Sequence, residues 1–186
     1  MIRESRQPGK STDRQRAFTL IEILIVVALM GLAGALVVPY MGRSDSLQTQ
    51  AAVRAIVADI SFAQFDAMAN QTTRRVEINV SDNSLRLLGG DFTTGDPADT
   101  FVLEDPLAGG REFILDFDDD RYGGTQIESA NFDGESFITF DEVGGPVDSA
   151  FQPSAGGVIT ITGPHARYEI HVGAFTGRVT VINTLP

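Results

Sequence analysis

Glu22 is the one charged side chain in an apolar run that extends from Phe18 to Val38. A charge at the centre of a bilayer costs about 2.5–3.5 kcal/mol on insertion scales, so an acid inside such a run marks a functional role by default. What a carboxylate can do in that setting is meet a positive charge. An unpaired buried ion is expensive and a paired one is tolerable, and a pair formed between chains could fix their axial register.

Other chemistry is sparse. The chain has two histidines, His165 and His171, and no cysteine to act as nucleophile or ligand. His165 follows Pro164 in an expected turn. His171 falls in an expected strand, opposite the face of Tyr168, Ile170 and Val172. Both read as structural. No G-x-S-x-G elbow or G-x-x-x-x-G-K-[ST] phosphate loop occurs, and no catalytic residue or enzyme activity is expected. Two acidic groups invite a calcium reading: Asp116, Asp118, Asp119 and Asp120 before Gly123-Gly124, and Asn131 with Asp133 and Glu135. Calcium takes several oxygen ligands, but the EF-hand spacing is not met. Adjacent acids in so negative a chain read as solvated turns, and neither metal nor cofactor is expected.

Charge is unevenly distributed. Residues 1–17 contain Arg3, Arg6, Lys10, Arg14 and Arg16 against Glu4 and Asp13, a net +3. Against −11 for the whole chain, the remainder carries −14 and has no lysine. Duplex binding rests on Lys and Arg neutralising phosphates. The Arg74-Arg75 pair reads as a solvated strand start, so nucleic acid is not an expected partner.

The elements that would position Glu22 follow from the pattern. Residues 1–17 read as a leader without structure. The apolar run has about the length, roughly 31 Å as a helix, that a bilayer core of about 30 Å requires. Its basic flank keeps the N-terminus cytoplasmic and puts everything after about Tyr40 across the membrane. Gly31, Ala33, Gly34 and Ala35 permit close helix approach, and Pro39 removes a backbone donor and should kink the helix. The expected division is therefore a leader at 1–17, a transmembrane helix at 18–39, its continuation at 40–70 and a β-rich domain at 71–186. In the continuation, Val53, Ile56, Val57, Ile60, Ala63 and Ala67 recur at helical spacing, with Phe62 and Phe65 beside them.

Beyond Asn70 the period becomes two. Val76, Ile78 and Val80, a turn at Ser81-Asp82-Asn83, then Leu85 and Leu87 predict a hairpin. Further strands are expected at 100–104, 112–117, 136–141, 157–162, 167–172 and 177–183. Glycine pairs at 89–90, 109–110, 123–124, 144–145 and 156–157 are expected to supply turns.

Phe18-Thr19-Leu20-Ile21-Glu22, with its basic leader and apolar helix, resembles the type IV pilin-like signal read by prepilin peptidase. Ala17 stands where that family usually has Gly. The resemblance implies cleavage between Ala17 and Phe18, N-methylation of Phe18 and filament assembly, with Glu22 meeting the new amino terminus of a neighbouring subunit. Gly31 and Pro39 also resemble positions between which related subunits unwind their helix. Phe137-Ile138-Thr139-Phe140-Asp141, Gly144, Gly156 to Ile161, Tyr168-Glu169-Ile170 and Gly177-Arg178-Val179 are similar to the H-type minor pseudopilin domain.

The fold so implied is α+β and pilin-like, a long N-terminal helix packed on an antiparallel β-rich domain. The function implied is that of a minor pseudopilin supporting protein secretion. The implied partners are other pseudopilins or pilins, prepilin peptidase and an inner-membrane assembly platform. The implied location is the inner membrane, with the globular domain in the periplasm. Two other readings stand beside it. One is a minor type IV pilus subunit serving adhesion, motility or DNA uptake. The other is an exported domain on an ordinary anchor, or one released by signal peptidase at Ala33-Gly34-Ala35.

Overall fold

The computed structural model describes residues 19–106 and 108–184, without the side chains of residues 35–45. The chain divides into two compact units, one ending at Tyr40 and the other beginning at Met41. A single helix, α1 (Leu20–Asn70), has residues in both. It ends for a local reason. Gln71 takes a left-handed φ of 52°, and the Thr72 amide turns back to the Ala67 carbonyl at 3.2 Å. That closes a Schellman-type cap with Gln in the place glycine usually holds.

Among the described residues twelve strands follow. They are β1 (Arg74–Asn79), β2 (Ser84–Gly90), β3 (Thr100–Val102), β4 (Glu104–Asp105), β5 (Arg111–Glu112) and β6 (Ile114–Asp116). After these come β7 (Gln126–Phe132), β8 (Phe137–Phe140), β9 (Pro146–Val147), β10 (Gly156–Gly163), β11 (Ala166–Gly173) and β12 (Val179–Asn183). One sheet runs β3-β2-β1-β8-β9, with β6 also on β2; a second runs β12-β11-β10-β7; β4 and β5 form a short arm. All named pairings are antiparallel.

In the second unit, one core joins α1 to both sheets. Ala52, Val53, Ile56, Ile60, Ala63 and Ala67 of the helix are buried with Val76, Ile78, Leu85, Leu87, Ile138 and Phe140 of the first sheet. The same core takes Ile127, Ile159, Ile161, Tyr168, Ile170 and Val172 of the second. The helical stripe and the strand alternation thus meet in one apolar volume. The expected hairpin forms, with Val76 opposite Leu87 and Ile78 opposite Leu85. Val80, counted with the hairpin's inward residues, lies past the end of β1 and is exposed.

Several expectations need correction. The segment 100–104 is divided between β3 and β4, and 112–117 between β5 and β6. The strand β7, which pairs with β10 at one edge of the second sheet, had no expectation attached to it. Its pairing shifts by one residue between Thr160 and Ile161, so Ile127 and Phe132 face the core out of strict alternation. A bulge of this kind re-aims side chains and erases the period-two signal.

Two glycine pairs lie in strands, not turns: Gly89-Gly90 in β2 and Gly156-Gly157 in β10. Gly157 is there for close approach. A Cβ at that position would lie 2.3 Å from the Asn131 carbonyl oxygen and 2.3 Å from the Phe132 ring. Gly157→Val should therefore overpack the β7–β10 contact and lower stability by about 3 kcal/mol or more. The urea midpoint of the full chain checks this, and an unchanged midpoint would mean that Phe132 moves aside without cost.

Candidate assembly site

Glu22 lies in the first turn of α1, and Thr19 opens that turn. The Glu22 amide donates to the Thr19 carbonyl at 3.0 Å and to the Thr19 hydroxyl at 3.3 Å, and the Ile23 amide reaches the Thr19 carbonyl at 3.3 Å. Thr19-Leu20-Ile21-Glu22 has the T-x-x-E spacing of a capping box. A carboxylate in the first turn also faces the positive end of the helix dipole. This local role is one the sequence reading passed over, although the spacing carries it.

Around Glu22 the helix is apolar on every side. Residues 20–34 are all exposed, from Val26 at 45% to Leu20 at 83% among the large side chains. A Cβ added at Gly31 or at Gly34 would meet nothing within 4 Å. Among the described residues, no helix is long and apolar enough to cross a membrane. The apolar run marked by the sequence extends beyond them, through Phe18 at one end and the side chains of 35–38 at the other. Ala17 and Phe18 lie outside the described residues, and the backbone of α1 is helical through Pro39.

Further along α1 lies a buried acid that the pattern did not single out. Asp59 is 9% exposed, and its Oδ2 has no hydrogen-bond partner among the described residues. Burial, with the negative charge of Asp105 adding to it, raises its pKa to about 7. It shares a cleft with Asp105, Arg111, Glu112 and Arg121. A polar residue at the interior face of a helical stripe was the available signal.

Gln64, one turn and a residue beyond, holds two loops to the helix. Its amide donates to the Gly144 carbonyl at 2.7 Å and to the Thr176 carbonyl at 2.9 Å. The second loop presents Phe175, 73% exposed at a φ of 60°. Gln64→Ala should cost about 1–2 kcal/mol by leaving both carbonyls without this donor. It should also quicken amide hydrogen exchange in 141–145 and 174–178. Unchanged exchange there would show that the loops hold themselves.

The Arg74-Arg75 pair is only partly solvated, which corrects the expectation of a solvated strand start. Arg74 is buried and pairs with Asp66 at 2.5 Å. Arg75 lies between two rings, 4.2 Å from the centre of Phe92 and 3.9 Å from that of Phe137, and donates to the Thr139 hydroxyl at 2.9 Å. Two rings so close to a guanidinium supply cation–π attraction and shield it in part from solvent. Burial accordingly lowers the Arg75 pKa.

The acidic groups bind the protein's own donors. Asp116 accepts from the Asp118 amide, Asp118 from the Asn83 side chain, and Asp119 from the Arg121 amide and guanidinium. Those bonds hold the Asp119 pKa below the usual carboxylate range. Asn131 accepts from Gly134, and Asp133 from Ser154. Among the described residues no group of three or more His, Cys, Asp or Glu is placed to hold a metal ion. His171 lies 2.9 Å from Glu169 on the outward face of β11.

These features can be set beside known proteins. The prokaryotic N-terminal methylation motif matches residues 12–38, which takes in Ala17, Phe18 and Glu22. The type II secretion system protein H of Xanthomonas campestris pv. campestris is 30% identical over 166 residues, covering 88% of this chain and 81% of that protein. The chain belongs to the type II secretion system protein H family. The type II secretion system core protein G of Escherichia coli (strain K12) is 46% identical over 50 residues, 26% of this chain. That alignment spans about a third of the core protein's length (34%). The minor pseudopilin EpsH from the type 2 secretion system of Vibrio cholerae superposes with a TM-score of 0.51 at 10% identity. The superposition covers 73% of this chain and 97% of that one and shows a shared pilin-like α+β fold. Within the protein H family fold, Glu22 lies at the start of the helix and Asp59 and Gln64 on the part of it that the sheets cover.

Proposed function

We propose that this protein is a minor pseudopilin, assembling through its N-terminal helix into the pseudopilus of a type II secretion system to support protein secretion. The observation that carries the reading is the 30% identity to a protein H, sustained over 88% of the chain and so through the β-rich domain as well as the signal. Prepilin peptidase cuts between Ala17 and Phe18 and Phe18 is N-methylated. The run from Phe18 to Val38 anchors the subunit in the inner membrane, with the globular domain in the periplasm. An inner-membrane assembly platform then draws it into a filament of other pseudopilins. The apolar residues of 20–34, exposed in the single chain, pack against sister helices, and Pro39 kinks the helix beyond them. Glu22 meets the methylated amino terminus of a neighbour. In lipid such a pair removes the large cost of leaving either charge alone. The role is structural and no catalytic step belongs to it.

The natural chain has no cysteine, so single-cysteine variants report cleanly. In cells lacking the gene, a chain carrying Leu47→Cys should restore secretion and form disulfide-length crosslinks to a pseudopilin with a cysteine in its own helix. Unimpaired secretion without the gene, together with loss of type IV pili, would move the subunit to the pilus.

A further inference from the structure

The strand β12 is the outer edge of the second sheet and, among the described residues, pairs with β11 alone. An uncovered edge presents unpaired backbone N–H and C=O groups, and proteins ordinarily blunt such edges with charge, proline or a covering segment. This edge carries exposed Val181 and Ile182 instead. Val181 lies opposite Ile170 on the sheet face that covers the helix, yet it is 44% exposed. The inward face of the sheet therefore runs on beyond what α1 covers. Between helix and edge lies a groove of about 440 Å³, lined by Val53, Arg54, Val57 and Ala58 of α1 and by Tyr168 and Val181 of the sheet.

The charge around this groove is opposite to that of the chain. The sequence has 25 Asp and Glu residues, yet none lines the groove, whose one charged lining residue is Arg54. Arg54 and Arg178, the latter just before β12, are exposed, and neither guanidinium has an ion-pair partner among the described residues. Elsewhere Arg74 pairs with Asp66, Arg86 with Glu77, Arg121 with Asp119 and Arg167 with Glu128, while Arg75 stacks on Phe92 and Phe137.

We propose that β12 and this groove accept an extended segment of another protein chain, one that alternates apolar side chains with carboxylates. The segment adds to the sheet as a further strand on β12. Its backbone fills the edge hydrogen bonds, its inward apolar side chains continue the sheet over Val53 and Val57, and a carboxylate reaches Arg54. Strand addition draws affinity from main-chain bonds and specificity from alternate side chains. An anionic lipid surface shares the apolar and acidic chemistry but cannot satisfy an edge strand's backbone groups, so the protein segment is the occupant the edge requires. The inference stands on this face of the domain and does not depend on the assembly role proposed above.

The test uses the full chain in neutral detergent micelles and two labelled, end-blocked peptides of about ten residues, a strand's length. One alternates Val with Glu and the other Val with Lys. The Val-Glu peptide should bind about tenfold or more tighter, since like charges disfavour the wrong partner, and should slow amide exchange at 179–183. Arg54→Glu, a change at an exposed position, should reverse the preference between the peptides. Val181→Pro should abolish the β12 protection by removing an edge residue's extended pairing. Four results would overturn the proposal: equal binding of the two peptides, protection confined to other strands, protection of β12 by anionic vesicles with no peptide present, or concentration-dependent protection in the protein alone. The third would make the face a membrane contact and the fourth a contact between copies of this chain.

Discussion

Glu22→Ala will lower incorporation of the subunit into pseudopili by about a hundredfold to a few thousandfold, while the amount in the membrane fraction stays the same. The size follows from the cost of breaking a buried ion pair by removing one partner, about 3–5 kcal/mol, since each 1.4 kcal/mol is tenfold. Alanine alone cannot separate two roles, because Glu22 also sits at the last position of the Thr19 capping box and in the first turn of the helix. Glu22→Gln can. Glutamine serves the capping box as well as glutamate does, but it cannot neutralise an ammonium. If the charge is what matters, Gln fails as badly as Ala in quantitative crosslinking of assembled filaments. Assembly of the Gln variant at the natural level would reduce Glu22 to a helix cap and remove the pairing from the mechanism.

The second large effect is on stability. Asp59→Asn should raise the stability of the full chain at about pH 8 by on the order of 4 kcal/mol, and leave it nearly unchanged at about pH 4. The folded protein holds the Asp59 proton up to about pH 7, and the unfolded chain releases it near the ordinary carboxylate value of 3.8. Between those values the folded state binds more protons, so the natural chain loses stability as pH rises from about 4 to about 7. Asparagine carries no charge at any of these pH values and removes that slope. Asp105, Arg111, Glu112 and Arg121 share the cleft, and Tyr122 senses the Asp59 charge. The difference between the two unfolding profiles therefore reports Asp59 together with its coupling to Asp105. Parallel profiles from pH 4 to 8 would show that water or Arg111 already compensates the carboxylate.

The parts legible from the sequence are those where one period runs unbroken. The α1 stripe from Val53 to Ala67 keeps its helical spacing because one face meets the sheets for its whole length. The hairpin was legible because Asn83, at a φ of 47°, closes a short turn between alternating strands. The β7 strand was not, because its bulge breaks alternation and because Glu128, Ser129 and Asn131 are exposed among its few inward residues. The paired glycines misled for a related reason: the same residue type serves a left-handed turn and a close strand approach, and only the neighbour's position distinguishes them. Arg74 and Arg75 looked solvated because their partners are distant in sequence, Thr139 and Phe137 above all. At the assembly site, Glu22 was visible as a charge out of place, and the T-x-x-E spacing that adds its second role was visible too. Asp59 was hidden inside an apolar stripe, where one polar residue reads as a lapse in the pattern unless its surroundings are known.

The account rests on a new amino terminus being made next to Phe18. The direct measurement is the intact mass and N-terminal peptide of the protein recovered from assembled pseudopili. The predicted result is a chain that begins with N-methylated Phe18, the residues through Ala17 having been removed. A chain still beginning at Met1, or one beginning at Leu36, would contradict it, since neither places a positive charge four residues from Glu22.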